Sequence, residues 1–237
     1  MAENGHQLRR PSAVVIYTAS TWVIPVIVAI SFHEAAHGFV ARWCGDDTAQ
    51  RLGRVTLNPL KHVDLFGTII LPAILLLTRA PFLFGYAKPV PVSFGALRNP
   101  RRDMVWVAAA GPAMNLLLAT AAGFIAHLAG FLPAGADRWF LDNLQNAIVL
   151  NVTLAVFNML PIPPLDGGRV AVGLLPDVLA RPLARLERSG MLIVIGLIFI
   201  LPTVGMQLGV DLDVLAWMVS GPSKWIIETI LRLTGNG

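Results

Sequence analysis

The chain has 237 residues, 55% of them hydrophobic and only 14% charged, with a formal net charge of +4, a mean hydropathy of +0.67 and a pI near 9.8. A soluble domain carries about 25% charged residues, so the composition excludes an ordinary water-soluble fold and indicates an all-α polytopic membrane protein with no room for a second large domain. The basic excess lies in short loops beside apolar runs, which argues against nucleic acid and for the lipid bilayer as partner, and the single cysteine, Cys44, excludes both an intramolecular disulfide and a Cys-rich zinc site.

Residues 1–11 are polar, and the first apolar segment, about 12–42, follows them. It carries His33-Glu34-Ala35-Ala36-His37 near its end, so cleavage as a signal peptide would remove that motif, and an uncleaved span is expected. The second segment, about 65–78, has about 14 residues with Pro72 inside. A span needs roughly 20, so this one is read as re-entrant. The third, about 104–129, includes Gly111-Pro112-Ala113-Met114-Asn115. The fourth, about 144–163, leads into Pro161-Ile162-Pro163-Pro164-Leu165-Asp166-Gly167-Gly168. A fifth covers about 190–208. The sixth, about 212–233, is interrupted by Gly221-Pro222 and fits a span or a surface amphipathic helix about equally. Five to six transmembrane segments are expected, one of them short, in a single membrane-embedded domain over 1–237. Its core would cover about 12–175 and its C-terminal helices about 189–233.

Two histidines four apart lie on one helix face, one turn from each other, so His33 and His37 can share one metal ion. Glu34, beside the first, can take a proton from a water on that metal. This is the HExxH chemistry of zinc hydrolases. Ionisable groups at membrane depth are costly and read as functional by default. A catalytic zinc takes three protein ligands and leaves one position open. His62 and Asp64 lie in a basic loop, and His127 belongs near the opposite face from His33. Asp166 has the best position, because Pro161, Pro163 and Pro164 stop the helix and Gly167-Gly168 permit an unusual backbone. The competing role for Asp166 is the cap of a helix beginning near Arg169. For Cys44 a structural place at a helix end is expected.

If Asp166 completes the site, the first and fourth segments end at the same membrane face, which requires the short segment to return to the side it entered. The charges agree. Arg42, Arg51, Arg54, Lys61, Lys88, Arg98, Arg101 and Arg102 fall between the first and third segments, and Arg181, Arg185 and Arg188 between the fourth and fifth. The active site is therefore expected toward the cytoplasm of a cell inner or plasma membrane. His6, Arg9 and Arg10 run against the rule.

These motifs resemble those of the site-2 proteases, the intramembrane zinc metalloproteases of peptidase M50 type. His33-Glu34-Ala35-Ala36-His37 resembles their first motif, Asn158-Met159-Leu160-Pro161 with Asp166-Gly167 their NxxPxxxxDG, and Gly111-Pro112-Ala113-Met114-Asn115 their GPxxN. Gly85-Tyr86-Ala87-Lys88-Pro89-Val90-Pro91-Val92 is similar to a short β-hairpin that follows the first motif, here near 84–94. The resemblance covers about 12–175. It implies one zinc per chain on His33, His37 and Asp166, with Glu34 as catalytic acid/base and Asn115 and Asn158 facing the same cavity. The connection before the Asp-bearing helix is too short for the PDZ domain of many relatives, so a minimal member is implied.

The expected reaction is hydrolysis of peptide bonds within or near transmembrane helices of membrane-protein substrates. Asn158 is read as an oxyanion donor, whereas for Asn115 that role and a helix–helix hydrogen bond weigh equally. For Lys88–Val92 two readings weigh equally: an edge strand that holds substrate by strand addition, its donors limited by the prolines, and a tight, irregular loop capping the re-entrant segment. The rival functions are a membrane metal-binding or transport protein, an iron-dependent oxygenase, and an inactive homologue acting as a binding module. Glu34 argues against the first, and the presence of only five histidines against the second.

Overall fold

In the computed structural model of the chain the described residues are 11–62, 64–70, 74 and 88–237. Helix α1 covers Pro11–Trp43. It ends because Gly45 takes a left-handed conformation, φ 109°. There Gly45 N–H reaches Arg42 O at 3.0 Å and Asp46 N–H reaches Ala41 O at 2.9 Å, the paired bonds of a Schellman stop. Helix α2, Pro100–Ile125, starts with proline in its first turn, where the missing N–H costs nothing. Asp103 reaches back to Asn99 N–H at 2.8 Å. Helix α3 is Ala136–Asn158, α4 Asp166–Leu174, α5 Asp177–Arg185, α6 Glu187–Leu208 and α7 Val214–Leu233. Within α6 a π turn over Gly196–Ile200 precedes Pro202, a widening that accommodates a residue with no N–H to give.

The segments at α1, α2, α3 and α6 are long and apolar enough to cross a membrane: Val14–Trp43, Pro100–Phe131, Ala136–Asn158 and Glu187–Leu208. The described residues thus supply four candidate spans, fewer than the five to six expected. The short segment near 65–78 is described only over 65–70, a π turn, and at 74, so its re-entrant reading lies outside the described residues. Helix α7 is not among the four, and it carries Lys224, Glu228 and Arg232. Gly221-Pro222 does not interrupt it. Proline inside a helix costs about 3 kcal/mol, but α7 packs on α3, burying Leu215, Ser223 and Ile230, and Asp213 caps it through Ala216 N–H at 3.0 Å.

The expected β-hairpin is not supported. Residues 84–87 lie outside the described residues, and Lys88–Ser93 form no strand. Pro89 and Pro91 have no N–H to offer a ladder. The donors of Lys88, Val90 and Ser93 are turned inward, to His62 O at 2.9 Å, Glu34 Oε2 at 2.7 Å and Asp46 Oδ2 at 2.6 Å. Strand addition through these three donors is therefore ruled out in this conformation.

Helices α1, α2 and α3 pack on one another, and α1 carries small and polar residues inside and large apolar ones outside. On α1, Thr21, Ala29, Ser31, His33, Ala35, Ala36, His37 and Ala41 are buried, whereas Val15, Ile16, Val23, Ile24 and Ile27 are exposed. That arrangement suits lipid, where close backbone approach and interhelical hydrogen bonds hold helices together. One apolar cluster joins Ala41, Val107 and Leu97; another joins Ala119, Val152 and Ile230. Cys44 lies just beyond the end of α1, packed against the first cluster, and burial pushes its thiol up, assisted by Asp103.

Asp46 ties the end of α1 to the segment over the site. It is fully buried and accepts from Thr48 N–H at 3.0 Å and Ser93 N–H at 2.6 Å. Burial opposes its charge, yet the hydrogen bonds from Thr48 and Ser93 prevail and hold its carboxyl below the ordinary range. Asp46→Ala strands two backbone donors and should cost about 1–3 kcal/mol, seen as a lower Tm in detergent at neutral pH. A depressed folded pKa means the stabilisation is complete above the unfolded value, near pH ~4, and is lost as pH falls through the lower folded value. The Tm difference between wild type and Asp46→Ala should therefore shrink on acidification below pH ~4.

Candidate metal centre

Two helices deliver the three candidate ligands. His33 and His37 stand one turn apart on α1, and Asp166 opens α4. His33 Nε2 lies 3.1 Å from His37 Nε2, and Asp166 Oδ2 lies 3.2 Å from the first and 3.4 Å from the second. All three side chains are buried. Two ligand atoms of a tetrahedral zinc with nitrogen and oxygen donors at about 2.0–2.1 Å are about 3.3 Å apart, so this triangle has the size of one tetrahedral face. It is the one group of its kind among the described residues.

The hydrogen bonds decide what the triangle presents. His37 Nδ1 lies 2.7 Å from Val107 O, a backbone carbonyl that can only accept, so Nδ1 carries a proton and in the neutral imidazole Nε2 is bare. His33 Nδ1 lies 2.5 Å from Asn115 Oδ1 and likewise donates. Asp166 Oδ2 is buried without a hydrogen-bond partner. Three lone pairs thus converge in a buried space, an arrangement that calls for a cation.

Glycines make the approach possible. A Cβ on Gly111 would stand 2.5 Å from His37 Nε2 and 2.6 Å from His33 Nε2, and one on Gly167 would stand 2.1 Å from Met159 O. Neither Gly167 nor Gly168 has a positive φ. The expectation of an unusual backbone there is corrected: these glycines let α4 begin close against the turn after α3. The chain enters α4 at Asp166 rather than near Arg169, with Leu165 at the cap position, and α4 has no side-chain cap bond. Asp166 spends its carboxylate on the triangle.

Glu34, Asn158 and Arg169 line the same cavity of about 520 Å³ as His33, His37 and Asp166. The Glu34 carboxylate is steadied by Val90 N–H. Asn158 Nδ2 donates to Leu154 O at 3.0 Å, one turn back. Asn115 is fully buried and its amide donates to Asn151 Oδ1 at 2.7 Å and Ala29 O at 3.4 Å. Both its donors are used, so its bonds fit the helix–helix role and leave nothing for an oxyanion. The remaining candidates stand elsewhere. His62 Nε2 bonds Thr56 O at 2.8 Å, Asp64 accepts from Gly67 N–H at 2.7 Å, and His127 Nε2 bonds Thr234 O at 2.6 Å.

A profile of the family described as Peptidase family M50 matches residues 21–137 and 134–202. The chain belongs to this family. Among curated proteins it is 40% identical to "Putative zinc metalloprotease YwhC" of Bacillus subtilis over 184 residues, 76% of this chain and 80% of that one. It is 33% identical to "Putative zinc metalloprotease Rip2" of Mycolicibacterium smegmatis over 177 residues, 73% of this chain and 64% of that one. No solved structure matches. The chain is accordingly a membrane protein of the M50, or site-2 protease, family, and its His-His-Asp triangle is a possible metal site.

Sequence reasoning missed Asn151, Arg169, Asp46 and Val90. Asn151 was within reach, since it lies seven residues before Asn158 and therefore shares its helix face. Arg169 lies three residues after Asp166 on α4, with its guanidinium 5.6 Å from the Phe94 ring and 3.1 Å from Glu187 Oε1. Because a Cβ at Gly111 would press on both imidazoles, Gly111→Ala should weaken zinc binding about tenfold or more, the scale of core overpacking. Equilibrium dialysis with zinc, with folding checked by thermal melt, measures this.

Proposed function

We propose that this protein is a site-2-type intramembrane zinc metalloprotease, hydrolysing peptide bonds within or near transmembrane helices of membrane-protein substrates. The observation that carries the reading is the convergence of three bare, buried donors from His33, His37 and Asp166 beside Glu34 in one cavity. These three residues would hold one zinc per chain. When bound it supplies a water whose pKa falls toward about 7 and a Lewis acid for the scissile carbonyl.

The chain's own residues do the rest. Glu34 takes a proton from the attacking water and returns it to the leaving amine. Val90 N–H holds one Glu34 oxygen, which fixes the direction from which the base acts. Asn158 is the candidate oxyanion donor. Its amide has one proton engaged with Leu154 O and a second to give. The cavity admits the water that polar groups at membrane depth require. A helical substrate hides its carbonyls in its own hydrogen bonds, so it must unwind to enter. The clustering of Arg and Lys in the loops flanking the site favours a cytoplasmic orientation in a cell inner or plasma membrane.

Purified protein in liposomes is incubated with a panel of single-span reporters. Wild type is expected to cleave at least one reporter, to lose activity to a zinc chelator and to regain it on adding zinc. Glu34→Gln should retain stoichiometric zinc while its rate falls about 10²–10⁴-fold, the range for a lost general base. Retained zinc with undiminished cleavage would reject Glu34 as the base, and chelator-resistant cleavage would reject the metal. Asn158→Ala should lower kcat about 10²–10³-fold at unchanged zinc content if it serves the oxyanion.

A further inference from the structure

Beneath His33 runs a buried chain of amides that passes through Asn115 to Asn151, a residue no motif marks. His33 Nδ1 lies 2.5 Å from Asn115 Oδ1, Asn115 Nδ2 lies 2.7 Å from Asn151 Oδ1, and Asn151 Nδ2 lies 2.8 Å from Ala147 O. Asn115 and Asn151 are 0% and 1% exposed, so water cannot replace any link. An amide side chain looks the same flipped, and only its partners tell oxygen from nitrogen. Here the far end settles it. Ala147 O is a backbone carbonyl and can only accept, so Asn151 must turn its NH₂ toward it and its oxygen toward Asn115. Asn115 must then present its NH₂ to Asn151 and its oxygen to His33. Ala29 O, on the other side of the Asn115 amide, demands the same orientation. His33 Nδ1 is left one role, that of donor, and in the neutral ring, the form that ligates a metal, Nε2 is then bare.

We infer that Asn151 is a positioning residue for the metal centre: through Asn115 it fixes the tautomer and ring orientation in which His33 offers Nε2 to the metal. The inference rests on the reading that His33, His37 and Asp166 hold zinc. Asn151 touches neither metal nor substrate. It acts by polarity, carrying the direction set by a carbonyl of α3 across α2 to a ligand on α1. His37 needs no such relay, because Val107 O faces it directly. Partners of this kind are typically worth about 10–100-fold in metal affinity.

Zinc affinity of the purified full-length protein, measured in detergent by competition with a chromophoric chelator, tests this without reference to proteolysis. Asn151→Leu, close in volume, is expected to bind zinc about 10–100-fold more weakly. Asn143→Leu is the control. Asn143 is buried on the same helix and likewise donates to the carbonyl one turn back, Trp139 O at 2.8 Å, but has no link to Asn115. Its affinity should match wild type. The double variant Asn115→Leu/Asn151→Leu should be no weaker than Asn115→Leu alone, because both break one relay. Wild-type affinity in Asn151→Leu, or losses that multiply in the double variant, would overturn the inference. Should Asn151→Leu fail to fold, Asn151→Asp carries the test. A neutral carboxyl at this buried position donates its O–H to Ala147 O, keeps its other oxygen toward Asn115 and should bind zinc like wild type, and a loss equal to that of Asn115→Leu would overturn the direction assigned. Absence of zinc binding by wild type would instead overturn the metal-centre reading, and this inference with it.

Discussion

Three lone pairs facing one another in a buried space repel unless a cation lies among them, and much of the described architecture serves to hold them there. A bare imidazole nitrogen is not a given, since each ring could turn over or move its proton. The fold removes that freedom by placing an acceptor behind each ring, Val107 O for His37 and Asn115 Oδ1 for His33. Both acceptors sit on α2. The glycine that lets α2 approach both imidazoles, Gly111, belongs to the same helix, with Asn115 one turn further on. The stretch Gly111–Asn115 thus makes room for the rings and orients one of them.

Putting such polarity at membrane depth shapes the packing around it. Lipid offers no hydrogen bonds, so the polar atoms must be satisfied by other helices. This explains why α1 buries alanine, serine and threonine, and α2 and α3 bury alanine and asparagine, while Val15, Ile16, Val23, Ile24 and Ile27 of α1 face outward. Small residues bring the backbones close enough for amides to span the gaps, as Asn115 and Asn151 do. The relay and the inside-out packing answer the same requirement.

The loop beyond α1 makes a second frame. Asp46 and Glu34 hold the segment Lys88–Ser93 by accepting from its backbone N–H groups at Ser93 and Val90. One carboxylate is structural and fully buried; the other lines the cavity. The same segment therefore fixes the proposed base while its prolines and inward donors keep it from forming a strand. The resemblance suggested a hairpin here, and the chemistry of Pro89 and Pro91 works against one.

Local spacing was legible in the sequence. Four residues on a helix make one turn whatever surrounds them, so the His33–His37 pair and the neighbouring Glu34 follow from order along the chain, as does the membrane character of segments with so few charges. Asp166 could be narrowed to the best of several candidates and given a rival role as a cap, because a helix start looks alike in either case. What α1, α2, α3 and α4 bring to one another could not be read in advance. Whether Asp166 turns its carboxylate on the histidines, whether Asn115 faces substrate or a ring, and whether Gly167 is needed for its dihedral angles or for its missing Cβ depend on which backbones pass within a few ångströms. Such contacts between distant segments are set by packing. The sequence determined the donors and their helical register; the tertiary structure alone decided which lone pairs are left free, because that depends on acceptors supplied by other helices.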